Sequence, residues 1–176
     1  MPNDNATPIP EAIWLCGQQG DDADAVRAAI CDRALDSYTA PGAHVLLIPA
    51  DPLLVRTVHA QSRSIAAAGR TVTARTRPAL AFHTPRQRLK PSSLRHVARD
   101  VFSALRAGGL LVTTARLTDD AGLGRVVSLV ENTGLMYLQH VVAIRVPLID
   151  DALVSRRRDR RDHIDVLVFR KPEPTW

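Results

Sequence analysis

Apolar positions along this chain change period repeatedly. Ile13-Trp-Leu-Cys16, Val45 to Ile48, Leu110 to Ala115 and Ile164 to Phe169 are short, nearly continuous apolar runs, as strands buried on both faces require. Thr71-Val-Thr-Ala74 alternates β-branched residues and reads as a further strand, and Leu80-Ala-Phe82 as a strand end. Between these runs the spacing becomes helical. Val26, Ala29, Ile30 and Ala34 predict a helix from about Ala23 to Leu35, capped by Asp21 or Asp22. Asp51 before Pro52 starts a second helix, predicted to reach Ala68 and stop at Gly69. A third begins at Ser92 or Ser93, carries Leu94, Val97, Ala98, Val101, Phe102 and Leu105 on one stripe, and ends at Gly108-Gly109. A fourth spans about Ala121 to Thr133, closed by Gly134, and Tyr137 to Leu148 reads as a long strand.

Strand and helix in alternation predict an α/β fold, a mostly parallel sheet covered on both faces. No helix separates the last two strands, so they are expected to form an antiparallel pair at one edge. The expected organisation is a single domain over residues 11–172 behind a flexible tail, residues 1–10. That tail is polar, without the basic start and apolar stretch of a signal peptide, and no apolar run approaches the ~20 residues of a membrane helix. A cytoplasmic protein without membrane partners is the expectation. Cys16 and Cys31 stand outside any metal spacing and read as reduced, buried and structural.

Composition sharpens this only in part. In 176 residues, hydrophobic side chains make up 45% and aromatics only 4%, so Ala, Val and Leu must fill the core. The net charge is +5, and of the 23 basic residues all but Lys90 and Lys171 are arginine. Arginine's planar fork suits phosphate, although genome composition explains the excess equally well. The six histidines are scattered, and none makes a zinc spacing with cysteine or carboxylate, so no metal site is expected. His163 beside Asp162 and Asp165 reads as a loop-to-strand junction. Gly-x-Ser-x-Gly and the Walker loop are both missing from the sequence.

Five stretches carry a family resemblance: Ala12-Ile-Trp-Leu-Cys-Gly-Gln18, Tyr38-Thr-Ala-Pro-Gly42 with Val45-Leu-Leu47, Ala68-Gly-Arg-Thr-Val72, Leu105-Arg-Ala-Gly-Gly-Leu-Leu-Val112, and His163-Ile-Asp-Val-Leu-Val-Phe169. Together they resemble the class I S-adenosylmethionine-dependent methyltransferases, most closely the amino-group DNA methyltransferases common in actinobacteria. The resemblance implies a Rossmann-like three-layer sandwich whose sheet ends in an antiparallel strand pair. The span between the second and fourth strands is short for this family, as if one helix–strand unit were missing.

The departures from the family pattern fall on its chemistry. Its cofactor loop has the form Asp-Pro-x-x-Gly-x-Gly. Matched here, Ile48 replaces the acid, Pro49 agrees, and Pro52 and Leu54 replace the glycines. Proline removes a donor, and leucine is expected to put a side chain where ligand atoms would lie. The ribose-binding acid at the end of the second strand is matched by Arg75, which accepts nothing. The Asp/Asn/Ser-Pro-Pro-aromatic motif, which holds a target amino group and stacks the flipped base, is matched only by Thr84-Pro85-Arg86-Gln87. Asp51 lies close enough to stand in for the lost acid, but a helix cap is the favoured role for it. Pro49, Asp51 and Arg75 thus line a remnant pocket, and no cofactor is expected there.

Arg156-Arg157-Arg158-Asp159-Arg160-Arg161 is the most basic stretch, readable as a phosphate-contacting loop or as a solvated hairpin. Arg86, Arg88, Lys90 and Arg95 extend the basic character, with no aromatic interleaved for base stacking. The leading expectation is a non-catalytic, methyltransferase-like protein that binds nucleic acid (DNA or RNA) or a protein partner. One alternative is a diverged but active S-adenosylmethionine-dependent DNA or RNA methyltransferase. Another is a structural homodimer.

Overall fold

The computed structural model describes residues 13–18, 22–66, 76–85, 90–115, 120–146 and 163–174. Its elements run β1 (Ile13–Gln18), α1 (Ala23–Tyr38), β2 (His44–Ile48), α2 (Pro52–Ala60), β3 (Ser64–Ile65), β4 (Leu80–His83), α3 (Pro91–Ala104), β5 (Leu110–Ala115), α4 (Asp120–Glu131), β6 (Met136–Val146) and β7 (His163–Arg170). The seven strands form one sheet in the order β1-β6-β7-β5-β4-β2-β3. β7 runs antiparallel to both its neighbours, and every other pairing is parallel.

Residue alternation along each strand sorts the core into two layers. Val45, Leu47, Leu80, Phe82, Val112, Val166 and Val168 pack beneath Val26, Ile30 and Leu35 of α1 and Leu54 and Val58 of α2. The intervening residues Leu46, Ala81, Leu111, Leu167 and Phe169 face the other way, onto Leu94, Ala98 and Val101 of α3 and Val130 of α4. The result is a Rossmann-like three-layer sandwich of the methyltransferase type, mostly parallel with one antiparallel strand. Cys16 and Cys31 are buried and free in the first layer. Burial pushes their thiols up to about 11 and about 12, so both stay protonated.

Several boundaries differ from the sequence reading. α2 stops at Ala60 instead of Ala68. Ser62 takes a left-handed φ of 57°, and Ser64–Ile65 then pairs with His44 and Val45. Edge pairing of the sheet thus outweighs continued helical periodicity. The strand predicted at Thr71 to Ala74 lies outside the described residues. α3 begins at Pro91, with Lys90 as N-cap and no side-chain cap bond, so neither Ser92 nor Ser93 caps it. The antiparallel pair is not at the edge. β7 inserts between β5 and β6, and β1 takes the outer position beside β6. The Leu105 to Val112 turn forms as expected. Gly108 adopts φ 70°, and a Cβ on Gly109 would come within 2.9 Å of the Arg106 carbonyl oxygen. Among the described residues no helix is long and apolar enough to cross a membrane.

Candidate functional site

Every parallel strand of this sheet ends at the same side, and there β2 leads into α2 through Pro49, Ala50 and Asp51. In open α/β sheets the crevice outside these carboxyl ends is where ligands bind. The Ile48–Pro49 bond is cis, and Pro49 is exposed. Asp51 is 5% exposed and caps α2, its Oδ1 accepting from the Leu53 N–H at 2.9 Å. Its other oxygen accepts from Arg27 Nη2 at 3.2 Å. Arg27 also pairs with Asp24, one turn earlier on α1. The helix cap expected of Asp51 is therefore present, with a buried ion pair added to it.

The expected obstruction of the crevice by Leu54 is not found. Leu54 is fully buried and belongs to the core between α1, α2 and the sheet. The helical turn that begins at Pro52 points the third residue of α2 inward, away from the loop it follows. Pro52 occupies a first-turn position whose N–H would have had no helical partner, so its missing donor costs little there.

β4 supplies the opposite wall. Thr84 continues the ladder beyond His83, its N–H donating to the Ile48 carbonyl at 3.0 Å. Thr84 is fully buried, and its Oγ1 has no hydrogen-bond partner among the described residues. Among the described residues, Arg27 Nη1 is buried without a partner as well. Two unsatisfied polar atoms, on groups bonded to the end of β2 and to the loop after it, are unusual, because such atoms normally find partners. Arg75, Arg86 and Arg88, with Arg156, Arg157, Arg158, Arg160 and Arg161, lie outside the described residues. Pro85 follows Thr84 and is half-buried.

A second set of polar groups lies across the same end of the sheet, on the α3/α4 face. His83 Nδ1 sits 2.9 Å from Thr113 Oγ1 on β5. Burial lowers the His83 pKa to about 4, so its ring is neutral near pH 7. On β7, Asp165 is 4% exposed and accepts from His140 Nε2 of β6 at 2.9 Å, with His163 Nε2 at 3.9 Å. Asp165 is thus part of a strand with histidines on two sides, where the sequence suggested only a junction. Among the described residues no group of three or more His, Cys, Asp or Glu could hold a metal ion. Sequence reading missed Arg27, His83, His140 and Asp165 as a group. The one local trace was Asp24-x-x-Arg27, an i,i+3 pair in the first turns of α1 with Asp24 exposed and Arg27 buried.

Neither a protein-family model nor a curated protein matches this sequence. Solved structures do. The N-methyltransferase NodS from Bradyrhizobium japonicum WM9, in complex with S-adenosyl-L-homocysteine, superposes with a TM-score of 0.52 at 13% identity, over 87% of this chain and 90% of that one. The 1,6-didemethyltoxoflavin-N1-methyltransferase of Burkholderia thailandensis, bound to 1,6-didemethyltoxoflavin and S-adenosylhomocysteine, gives 0.54 at 12% identity, over 88% and 81%. A putative SAM-dependent methyltransferase from Streptococcus mutans gives 0.53 at 10% identity, over 82% of this chain and 49% of that one. At such identities the likeness shows the fold.

Proposed function

We propose that this chain is a diverged S-adenosylmethionine-dependent methyltransferase whose crevice, between the ends of β2 and β4, binds the methyl donor. The observation that carries the reading is the direction of Leu54. With that side chain in the core, the loses of the loop glycines no longer imply a filled crevice. Thr84 Oγ1 and Arg27 Nη1 are hydrogen-bonding atoms in want of partners beside it. The two N-methyltransferase structures described above hold S-adenosylhomocysteine, which makes that nucleoside the first ligand to try.

The donor, when bound, supplies an electrophilic methyl group on a sulfonium. Asp51 would offer carboxylate charge to the cationic part of the donor, held in place by Arg27. Thr84 would offer its hydroxyl, and Pro49 lies on the same rim.

Titration calorimetry with S-adenosylhomocysteine tests this directly. Binding with a dissociation constant of about 1–100 μM is expected, or roughly −8 to −5 kcal/mol. The isosteric change Thr84→Val should weaken it about tenfold, the loss of one hydrogen bond worth ~1.4 kcal/mol. No heat at millimolar nucleoside would sink the proposal.

The second reading is a non-catalytic domain that acts by binding nucleic acid or a protein partner. Asp51 favours it: its carboxylate already occupies the first free amide of α2 and the Arg27 guanidinium, leaving less for a ligand. The incomplete Thr84-Pro85-Arg86-Gln87 motif favours it too. Donor binding without transfer of labelled methyl to DNA, RNA or small amines would select this reading.

A further inference from the structure

The outer surface of the α3/α4 layer carries a cationic groove that the donor crevice does not use. A depression of about 390 Å³ is lined by Pro91, Ser92, Arg95, His96 and Arg99 of α3 and by Leu129 of α4. Arg95 and Arg99 are one helical turn apart, about 6 Å along the axis, and therefore share a face. Arg125 stands one turn before Leu129 on α4, and Lys90 is exposed at the start of α3.

None of Arg95, Arg99, Arg125 or Lys90 forms a side-chain hydrogen bond or ion pair among the described residues. His96 is turned back, its Nδ1 2.8 Å from the Ser92 carbonyl oxygen. The nearest acid on α3, Asp100, is exposed one turn beyond His96, on the side away from Arg95. Like charges one turn apart destabilise a helix when nothing neutralises them.

The contrast with the other cationic depression is instructive. Arg77, Lys171 and Glu173 line one of about 460 Å³ at the far end of α3. There Lys171 Nζ donates to the carbonyls of Phe102 and Leu105, at 2.7 and 2.9 Å. Those cations are consumed in closing a helix C-terminus. The Arg95–Arg99 pair has no such internal use.

We infer that the groove between α3 and α4 binds the phosphodiester backbone of a nucleic acid, through Arg95 and Arg99 with Arg125 on its flank. Two guanidinium forks at one-turn spacing present planar, bidentate donors to phosphate oxygens. The groove is open, and among the described residues no Phe, Tyr or Trp lines it for base stacking, while the His96 ring is held back to the Ser92 carbonyl, so recognition is of the backbone without regard to sequence. The chain's net charge of +5 supports association with a polyanion. This site is independent of the methyl-donor proposal and stands whether or not the crevice holds S-adenosylmethionine.

The test is fluorescence anisotropy of a labelled single-stranded oligonucleotide, titrated with the full chain at several salt concentrations. The double change Arg95→Ala/Arg99→Ala should weaken binding about tenfold or more at low salt. It should also reduce the log–log salt slope by about 1.4, two contacts at about 0.7 each. The control Arg33→Ala/Arg56→Ala removes the same charge from exposed positions of α1 and α2. At about 0.15 M salt, where the Debye length is about 8 Å, it should change binding less than about twofold, because these positions lie on the opposite layer of the sheet. All four residues are exposed, and circular dichroism checks that both variants fold. Equal losses in the two variants would overturn the site, because net charge alone would then explain binding. So would no oligonucleotide binding at low salt, or binding of anionic phospholipid vesicles in place of the oligonucleotide.

Discussion

The two faces of the sheet differ in what they bury at its carboxyl end. On the α1/α2 face, the strand residues of the core are Val45, Leu47, Leu80, Phe82, Val112, Val166 and Val168, and the polar side chains buried at the strand ends are the hydroxyls of Thr84 and Thr114. On the α3/α4 face, Leu46, Ala81, Leu111 and Leu167 give way toward the strand ends to His83, Thr113 and Asp165. Phe82 and His83 are adjacent in sequence and almost equally buried, yet they fall on opposite sides of this division. A buried imidazole and a buried carboxylate require hydrogen-bonding partners and add less to stability than aliphatic packing does. At the strand ends one face therefore buries only hydroxyls, beside the Asp51–Arg27 pair of the loop and α1, whereas the strands of the other face bury an imidazole and a carboxylate.

The sharpest way to break the comparison is to truncate the apolar cluster of the α1/α2 face. Phe82→Ala should cost about 3–5 kcal/mol, measured by denaturant unfolding. A loss under about 1 kcal/mol would mean that this face is not the principal source of packing energy.

Acid should act through the opposite face. Burial keeps His83 neutral down to a pKa of about 4, whereas the unfolded chain takes up that proton near the ordinary value of 6.5. The unfolded state thus binds more protons between those limits. The stability tied to the neutral ring is whole above pH 6.5 and falls as pH drops to 4, where roughly 3 kcal/mol has gone. Unfolding of wild type and His83→Gln across pH 4 to 7 measures it. The variant's profile should be flatter, and parallel profiles would remove His83 as the cause.

The smallest effect sharpens the picture. Thr113→Val leaves His83 Nδ1 without its partner and should cost about 1–2 kcal/mol. Pairing it with His83→Leu should return part of that loss, since replacing both partners by apolar groups is nearly neutral. A double mutant as unstable as the sum of the singles would show that the hydrogen bond is not what links these two positions.

Much of the architecture was legible because it depends on local periodicity. The stripes of α1 and α3, the cap and proline that open α2, and the apolar runs of β2, β5 and β7 all specify elements through interactions within a few residues. The Asp51 cap belongs to the same class. Asp22 does too, its side chain accepting from the Ala25 N–H at 2.7 Å. The end of α2 was misread because Ser64 and Ile65 gain pairing partners on β2, twenty residues earlier in the chain. No local signal encodes that gain.

The amino-acid order by itself determined most of the helices and strands, and hence a layered α/β sheet, because backbone preferences and hydrophobic spacing act at short range. Tertiary structure alone decided that β7 enters between β5 and β6, leaving the edge to β1. It also turned Leu54 into the core and brought Arg27 to Asp51, His83 to Thr113, and His140 to Asp165. These placements arise from contacts between residues 24 to 30 positions apart or from strand order, which are settled only when the layers close on one another.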